Sequence, residues 1–218
     1  MIQIFYHIYC IENTDKIVRD QCVKIIFSGL YERVDNIYCF LLGEDYKREE
    51  IKILLGQMGH KFLIADESIE ILLYERFTLL GMRKFVSAED KILYIHTKGI
   101  TRIGTPHENS IKEWREYMEY WLIAKCHECI KKLDEVDLVG VILSHYPKTH
   151  FSGNFWWSTG KYLLTLPETI GDHYLDCEMY ILQRNDPTYH IIHNTGGVHN
   201  RPCYDTEGQW TFSKYIIP

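Results

Sequence analysis

Stretches of strand character and stretches of helix character alternate along most of this chain, and few folds accept such an order. Ile2 to Ile11 is an apolar run of β-branched and aromatic residues, closed by Asn13 and Thr14, residue types that start helices. A helix is expected to follow to about Tyr31. Asn36 to Leu42 reads as a second buried strand, Tyr46 to Met58 as a helix stopped by Gly59, and Lys61 to Ala65 as a short third strand. Ile69 to Phe85 carries apolar residues at helical spacing. Lys91 to Ile95 is a fourth strand running into His96-Thr97-Lys98-Gly99, Glu108 to Leu133 a long amphipathic helix, and Leu138 to Ser144 a fifth strand. This order predicts an α/β fold with a mainly parallel, Rossmann-type central sheet covered by helices on both faces. Ligands of such sheets bind beyond the carboxyl ends of the strands.

With 218 residues, and with no linker, repeat or low-complexity tract, the chain is expected to form a single domain, 1–218. After Ser144 the rhythm changes to loop-rich sequence with Gly, Asn, His and Trp. A net charge of −6 argues against a nucleic-acid partner, because counterion release needs a dense basic face. No apolar stretch approaches the length of a transmembrane segment, and Met1 to Cys10 lacks the basic start and cleavage site of a signal peptide. Seven scattered cysteines fit a reducing compartment. A cytoplasmic protein is expected. Cys126-His-Glu-Cys129 has the spacing of a zinc or redox pair but lies in a helical pattern without a second pair.

Several chemistries are excluded by missing motifs. The first strand is followed by no G-x-G-x-x-G, Gly153 to Tyr162 departs from a P-loop in spacing and in the residue after Lys161, and neither G-x-S-x-G nor H-E-x-x-H occurs. Three segments remain. The strand ending in His96, Thr97 and Lys98 delivers a point charge, a hydroxyl and an imidazole to the functional edge of the sheet, a set able to hold a diphosphate. In His150 to Trp157, Asn154 can read hydroxyls through its amide. Two consecutive tryptophans, Trp156 and Trp157, cannot both face one core, so at least one is expected to line a cleft. In Asp172 to Met179, helical geometry separates Asp176 from Glu178, so only one of these carboxylates is expected in the cleft as a general base.

At these three places, YIHTKG from Tyr94 to Gly99, SGNFWW from Ser152 to Trp157, and Glu178-Met-Tyr, the chain resembles bacterial and giant-virus glycosyltransferases of the GT-A type, a resemblance that implies kinship with the glycosyltransferase domains of large algal viruses. The resemblance implies a nucleotide-sugar donor, a UDP-sugar, and a glycan or glycoprotein acceptor. Residues 1–100 would then form the nucleotide-binding half and 101–218 the acceptor-binding half. It places uridine near Tyr9, with Asp66 as a partner for base or ribose. His96, Thr97 and Lys98 would hold the diphosphate, Asn154, Trp156 and Trp157 the acceptor, and Glu178 or Asp176 would be the acidic catalytic residue. His193 to His199 is a Gly-containing loop able to close over phosphates, with Arg201 close behind.

The GT-A pattern usually includes D-x-D, whose carboxylates hold Mn2+ or Mg2+, and no such triplet occurs here. Either Lys98 and His96 supply the positive charge without a metal, or a divalent cation is held by His96, a carboxylate and His193 or His199. A binding module without catalysis is the rival reading, and a phosphate-ester hydrolase a weaker one.

Overall fold

The computed structural model of the protein describes residues 1–184 and 186–194. The first half follows the expected alternation: β1 (Ile2–Cys10), α1 (Thr14–Phe27), the short α2 (Leu30–Arg33), β2 (Asn36–Gly43), α3 (Asp45–Met58), β3 (Phe62–Ser68), α4 (Arg76–Gly81) and β4 (Lys91–His96). The second half contains α5 (Glu108–Glu119), α6 (Cys126–Lys132), β5 (Leu138–Val141), β6 (Leu143–Ser144), β7 (His150–Phe151), β8 (Trp156–Thr159), α7 (Gly160–Leu163), α8 (Asp176–Met179) and β9 (Tyr189–His193).

Seven strands form one sheet in the order β3-β2-β1-β4-β8-β5-β9, and β6 pairs with β7 separately. Only β8 runs against the rest, antiparallel to both β4 and β5. The mainly parallel α/β fold flanked by helices is thus present, with strands from both halves of the chain in one sheet. Period-2 alternation divides β1 between two cores: Ile4, Tyr6 and Ile8 pack under α1, α3, α5 and α6, whereas Phe5 packs on the other face with Phe40, Tyr94 and Leu79.

That double core explains the tryptophan pair. As neighbours in a strand, Trp156 and Trp157 point to opposite faces, and both are fully buried. Trp156 stacks under Tyr94 with ring centroids 5.0 Å apart, and Trp157 donates from Nε1 to the Leu122 carbonyl at 2.8 Å. The expectation that one of them lines a cleft is therefore corrected: a sheet covered on both faces has a core for each.

Two expected helices are broken. Ile69 to Phe85 divides into a 3-10 turn at Ile71–Leu73, α4, and a second 3-10 turn at Met82–Phe85. Between the first two, Tyr74 sits at φ 48° and ψ −148°, a conformation no helix admits. The long helix after Glu108 is interrupted by a π segment at Tyr120–Ala124, whose Leu122 carbonyl is the acceptor for Trp157. The fifth strand is split at Ile142, which has φ 50°. Conversely, β3 extends past Ala65, because a register shift opposite Cys39 and Phe40 carries the chain on to Ser68.

Candidate functional site

A cavity of about 640 Å³ opens at the carboxyl ends of β1, β2 and β4, where a parallel sheet presents its ligands. Tyr9, His96, Thr97, Lys98, Asn154 and Glu178 all line it, so residues from four distant segments meet at one place. Trp156 lies beneath in the core. Asp66 is not among the lining residues; it is exposed on the edge strand β3, where Oδ1 accepts the amide of Glu67. Asp176 also lies outside the lining, its carboxylate accepting the His173 amide at 3.1 Å to close a turn. His199 and Arg201 lie outside the described residues.

Two hydrogen bonds through one glycine join three of these segments. The ring nitrogen Nε2 of His96 is 3.0 Å from the Gly153 carbonyl, which can only accept, so Nε2 carries the proton. The Gly153 amide in turn donates to Oε1 of Glu178 at 2.6 Å. Gly153 has φ 94°, and a Cβ there would stand 2.4 Å from the sulfur of Met118. Glycine is needed here for both conformation and space.

Burial, with the Lys98 ammonium beside it, pushes the His96 imidazole down to about 3. It is neutral near pH 7, which corrects the expectation that His96 contributes positive charge. Lys98 is the cation at this strand end, its ammonium held 4.1 Å from the centroid of the Trp114 ring. Arg102 also lines the cavity.

Glu75 was not singled out in the sequence, yet it is a hub of the site. Its Oε2 accepts from the Tyr94 hydroxyl at 2.8 Å and the Asn154 amide at 2.6 Å, and its Oε1 lies 3.9 Å from His96 Nδ1. Asn154 spends its other end on Trp156, whose Nε1 donates to Oδ1 at 2.9 Å. The Asn154 amide therefore couples Glu75 to the core. His7 is the second buried imidazole, 2.7 Å from the Thr78 hydroxyl and pushed down to about 4 by burial. The only available signal for Glu75 and His7 was residue type, since their partners are 19 to 79 positions away.

The backbone of the β4 end is fastened from below. Gln21 Nε2 donates to the His96 carbonyl at 3.1 Å and Arg115 Nη1 to the Lys98 carbonyl at 2.9 Å. Both converge on the buried carboxylate of Glu119, which also takes Lys24 at 2.6 Å. On the other side, Thr97 Oγ1 accepts the Tyr9 amide at 3.0 Å, tying the loop after β1 to the same strand end.

The donor set does not fit a metal among the described residues. No group of three or more His, Cys, Asp or Glu converges there. The carboxylates in the cavity are each partly engaged, Glu75 by Tyr94 and Asn154, and Glu178 by Gly153. His193 does not reach the cavity: it sits on β9, stacked 4.3 Å from Trp121 with Nδ1 2.7 Å from the Tyr117 hydroxyl. Cys126 and Cys129 are buried in α6, and burial pushes their thiols up. Among the described residues no helix is long and apolar enough to cross a membrane.

A family model described as Domain of unknown function (DUF8361) matches residues 5–171. No curated protein matches the chain in sequence. Among solved structures, the chain is similar to an active-site mutant of LgtC, with 11% identity over 87% of this chain and 72% of that one and a TM-score of 0.46. The galactosyltransferase LgtC in complex with donor and acceptor sugar analogs shows 11% identity over 84% and 67%, with a TM-score of 0.42. A 4-diphosphocytidyl-2C-methyl-D-erythritol synthase from Anaerococcus prevotii DSM 20548 shows 10% identity over 86% and 85%, also with a TM-score of 0.42. Likeness at this distance transfers no residue role to the present chain.

Proposed function

We propose that this chain, which belongs to the family described as Domain of unknown function (DUF8361), is a glycosyltransferase that moves a sugar from a nucleoside diphosphate sugar, a UDP-sugar, to a hydroxyl of a glycan. The reading is supported by one observation above all: the cation Lys98 on a strand end and the carboxylate Glu178 on a distant helical turn share one cavity, and Gly153 joins Glu178 to His96 of that same strand end.

The two groups divide the chemistry. Glu178 keeps Oε1 on the Gly153 amide, and its Oε2 has no hydrogen-bond partner among the described residues, so that oxygen is the one to accept the acceptor's proton. The acceptor oxygen forms its bond to the anomeric carbon as the bond from that carbon to the diphosphate breaks, and the electron pair leaves with the diphosphate. Lys98 neutralises the charge that develops there, while Trp114 holds the ammonium in place. A single displacement of this kind inverts the anomeric configuration. Tyr9, at the end of β1, is the partner proposed for uridine. The protein is proposed to act in the cytoplasm, in polysaccharide assembly.

The test uses UDP-glucose, UDP-galactose and UDP-N-acetylglucosamine, with UDP release followed by a coupled assay. The expected result is UDP release from at least one donor, lost by about a hundredfold or more in Glu178→Gln, with the UDP-dependent rise in melting temperature kept. The Gln carbonyl can still accept from Gly153, so the variant removes the base and little else. UDP bound without turnover of any donor would instead mark a binding module.

A further inference from the structure

With Trp156 and Trp157 in the core, the aromatic surface offered to the cavity lies elsewhere. Tyr74 and Tyr174 both line it, their ring centroids 6.4 Å apart, with exposures of 39% and 59%. They come from segments a hundred residues apart, and one side chain joins those segments. Arg76 donates to the Leu72 and Leu73 carbonyls of its own segment and to Gly171 and Asp172 of the other. The backbone of Tyr74 is held at φ 48°, a strained region for a residue with a side chain, and such strain persists where surroundings impose it.

From this arrangement we infer that Tyr74 and Tyr174 form an aromatic clasp for a pyranose ring of the acceptor. The inference rests on the sugar-transfer reading and adds where the acceptor sits. Three features choose a sugar. The rings present flat apolar faces, continued by Ile71 and Leu72. Among the residues lining the cavity, the polar ones nearest in sequence to the two tyrosines are Glu75 and Glu178, whose carboxylates accept hydroxyls. A purely apolar ligand would desolvate those carboxylates without meeting the acceptor capacity that Tyr94, Asn154 and Gly153 leave open. A ring with one apolar face and a rim of hydroxyls satisfies both halves. Tyr174 also stands four residues before Glu178, on the turn that leads into α8, so a ring stacked there brings a hydroxyl toward the proposed base.

The probes are methyl glycosides of glucose, galactose, mannose and N-acetylglucosamine, with binding read by saturation-transfer NMR and UDP binding by thermal shift. At least one glycoside is expected to bind the wild type, to weaken about tenfold in both Tyr74→Ala and Tyr174→Ala, roughly the worth of one stacked ring, and to be kept in the Phe variants. Both tyrosines are exposed, and an unchanged UDP-dependent shift in each Ala variant reports a folded protein. Undiminished binding in either Ala variant overturns the clasp, as does equal weakening in the Phe variants. A wild type that binds UDP but no glycoside removes the clasp alone; one that binds neither removes the sugar-transfer reading with it.

Discussion

On the β4 side of the cavity, the carbonyls of His96 and Lys98 are tied from below by Gln21 and Arg115, and both of these lean on the buried Glu119. On the opposite side, the segments carrying Tyr74 and Tyr174 meet through Arg76, whose ionic partner Asp172 is fully exposed. The first wall belongs to the folded core, and its geometry is as stable as the protein. The second is a surface contact, where ion pairs contribute little and opening costs little. In the proposed reaction, a diphosphate common to every donor suits the rigid wall, and acceptors that differ in shape suit the wall that can adjust.

The contrast can be broken most forcefully at Glu119. Removing one member of a buried charge cluster strands the rest, so Glu119→Ala should cost about 3 kcal/mol, the lower end of the range for buried pairs because Lys24 is partly exposed. A urea midpoint unchanged from the wild type would show that the network does not hold the β4 end.

Acid provides a graded test of the same wall. His7 and His96 are held neutral, with values pushed to about 4 and about 3, below the 6.5 of an exposed imidazole. The unfolded chain then binds more protons below pH 6.5, and stability should fall as pH drops from 6.5 toward 4, by at most about 1.4 kcal/mol per pH unit for each histidine. Burial raises the Glu119 carboxyl and works in the opposite sense, so Glu119→Gln should steepen the loss. Urea midpoints at pH 7 and pH 5 measure both slopes.

The smallest effect is expected at the clasp. Arg76→Ala should lower stability by about 1 kcal/mol or less, yet amide exchange at residues 69–75 and 171–175 should quicken while residues 94–97 stay protected. Equal acceleration on both sides would erase the difference between the walls.

Much of this arrangement was legible in the sequence, because local patterns carried it. Buried parallel strands read as continuous apolar runs, and β1, β2 and β4 fall within two residues of their expected bounds. The end of β4 was recognisable because polar residues replace the apolar run at His96, where the sheet meets solvent. The meeting of His96, Asn154 and Glu178 followed from a family resemblance, and the structure joins their segments by hydrogen bonds. Trp156 and Trp157 went wrong for a definable reason: neighbouring residues of a strand face opposite ways, and with a core on each face both can be buried. Glu75 escaped notice because helical spacing over Ile69 to Phe85 hid the break at Tyr74, and because its partners Tyr94 and Asn154 are brought to it only by the tertiary fold.

The most direct measurement is calorimetric titration of UDP and of uridine into the wild type and Lys98→Ala. If the β4 end grips the diphosphate through that ammonium, UDP should bind at least about tenfold more weakly to the variant while uridine binds both proteins equally. Equal UDP affinity for the two proteins would contradict the account.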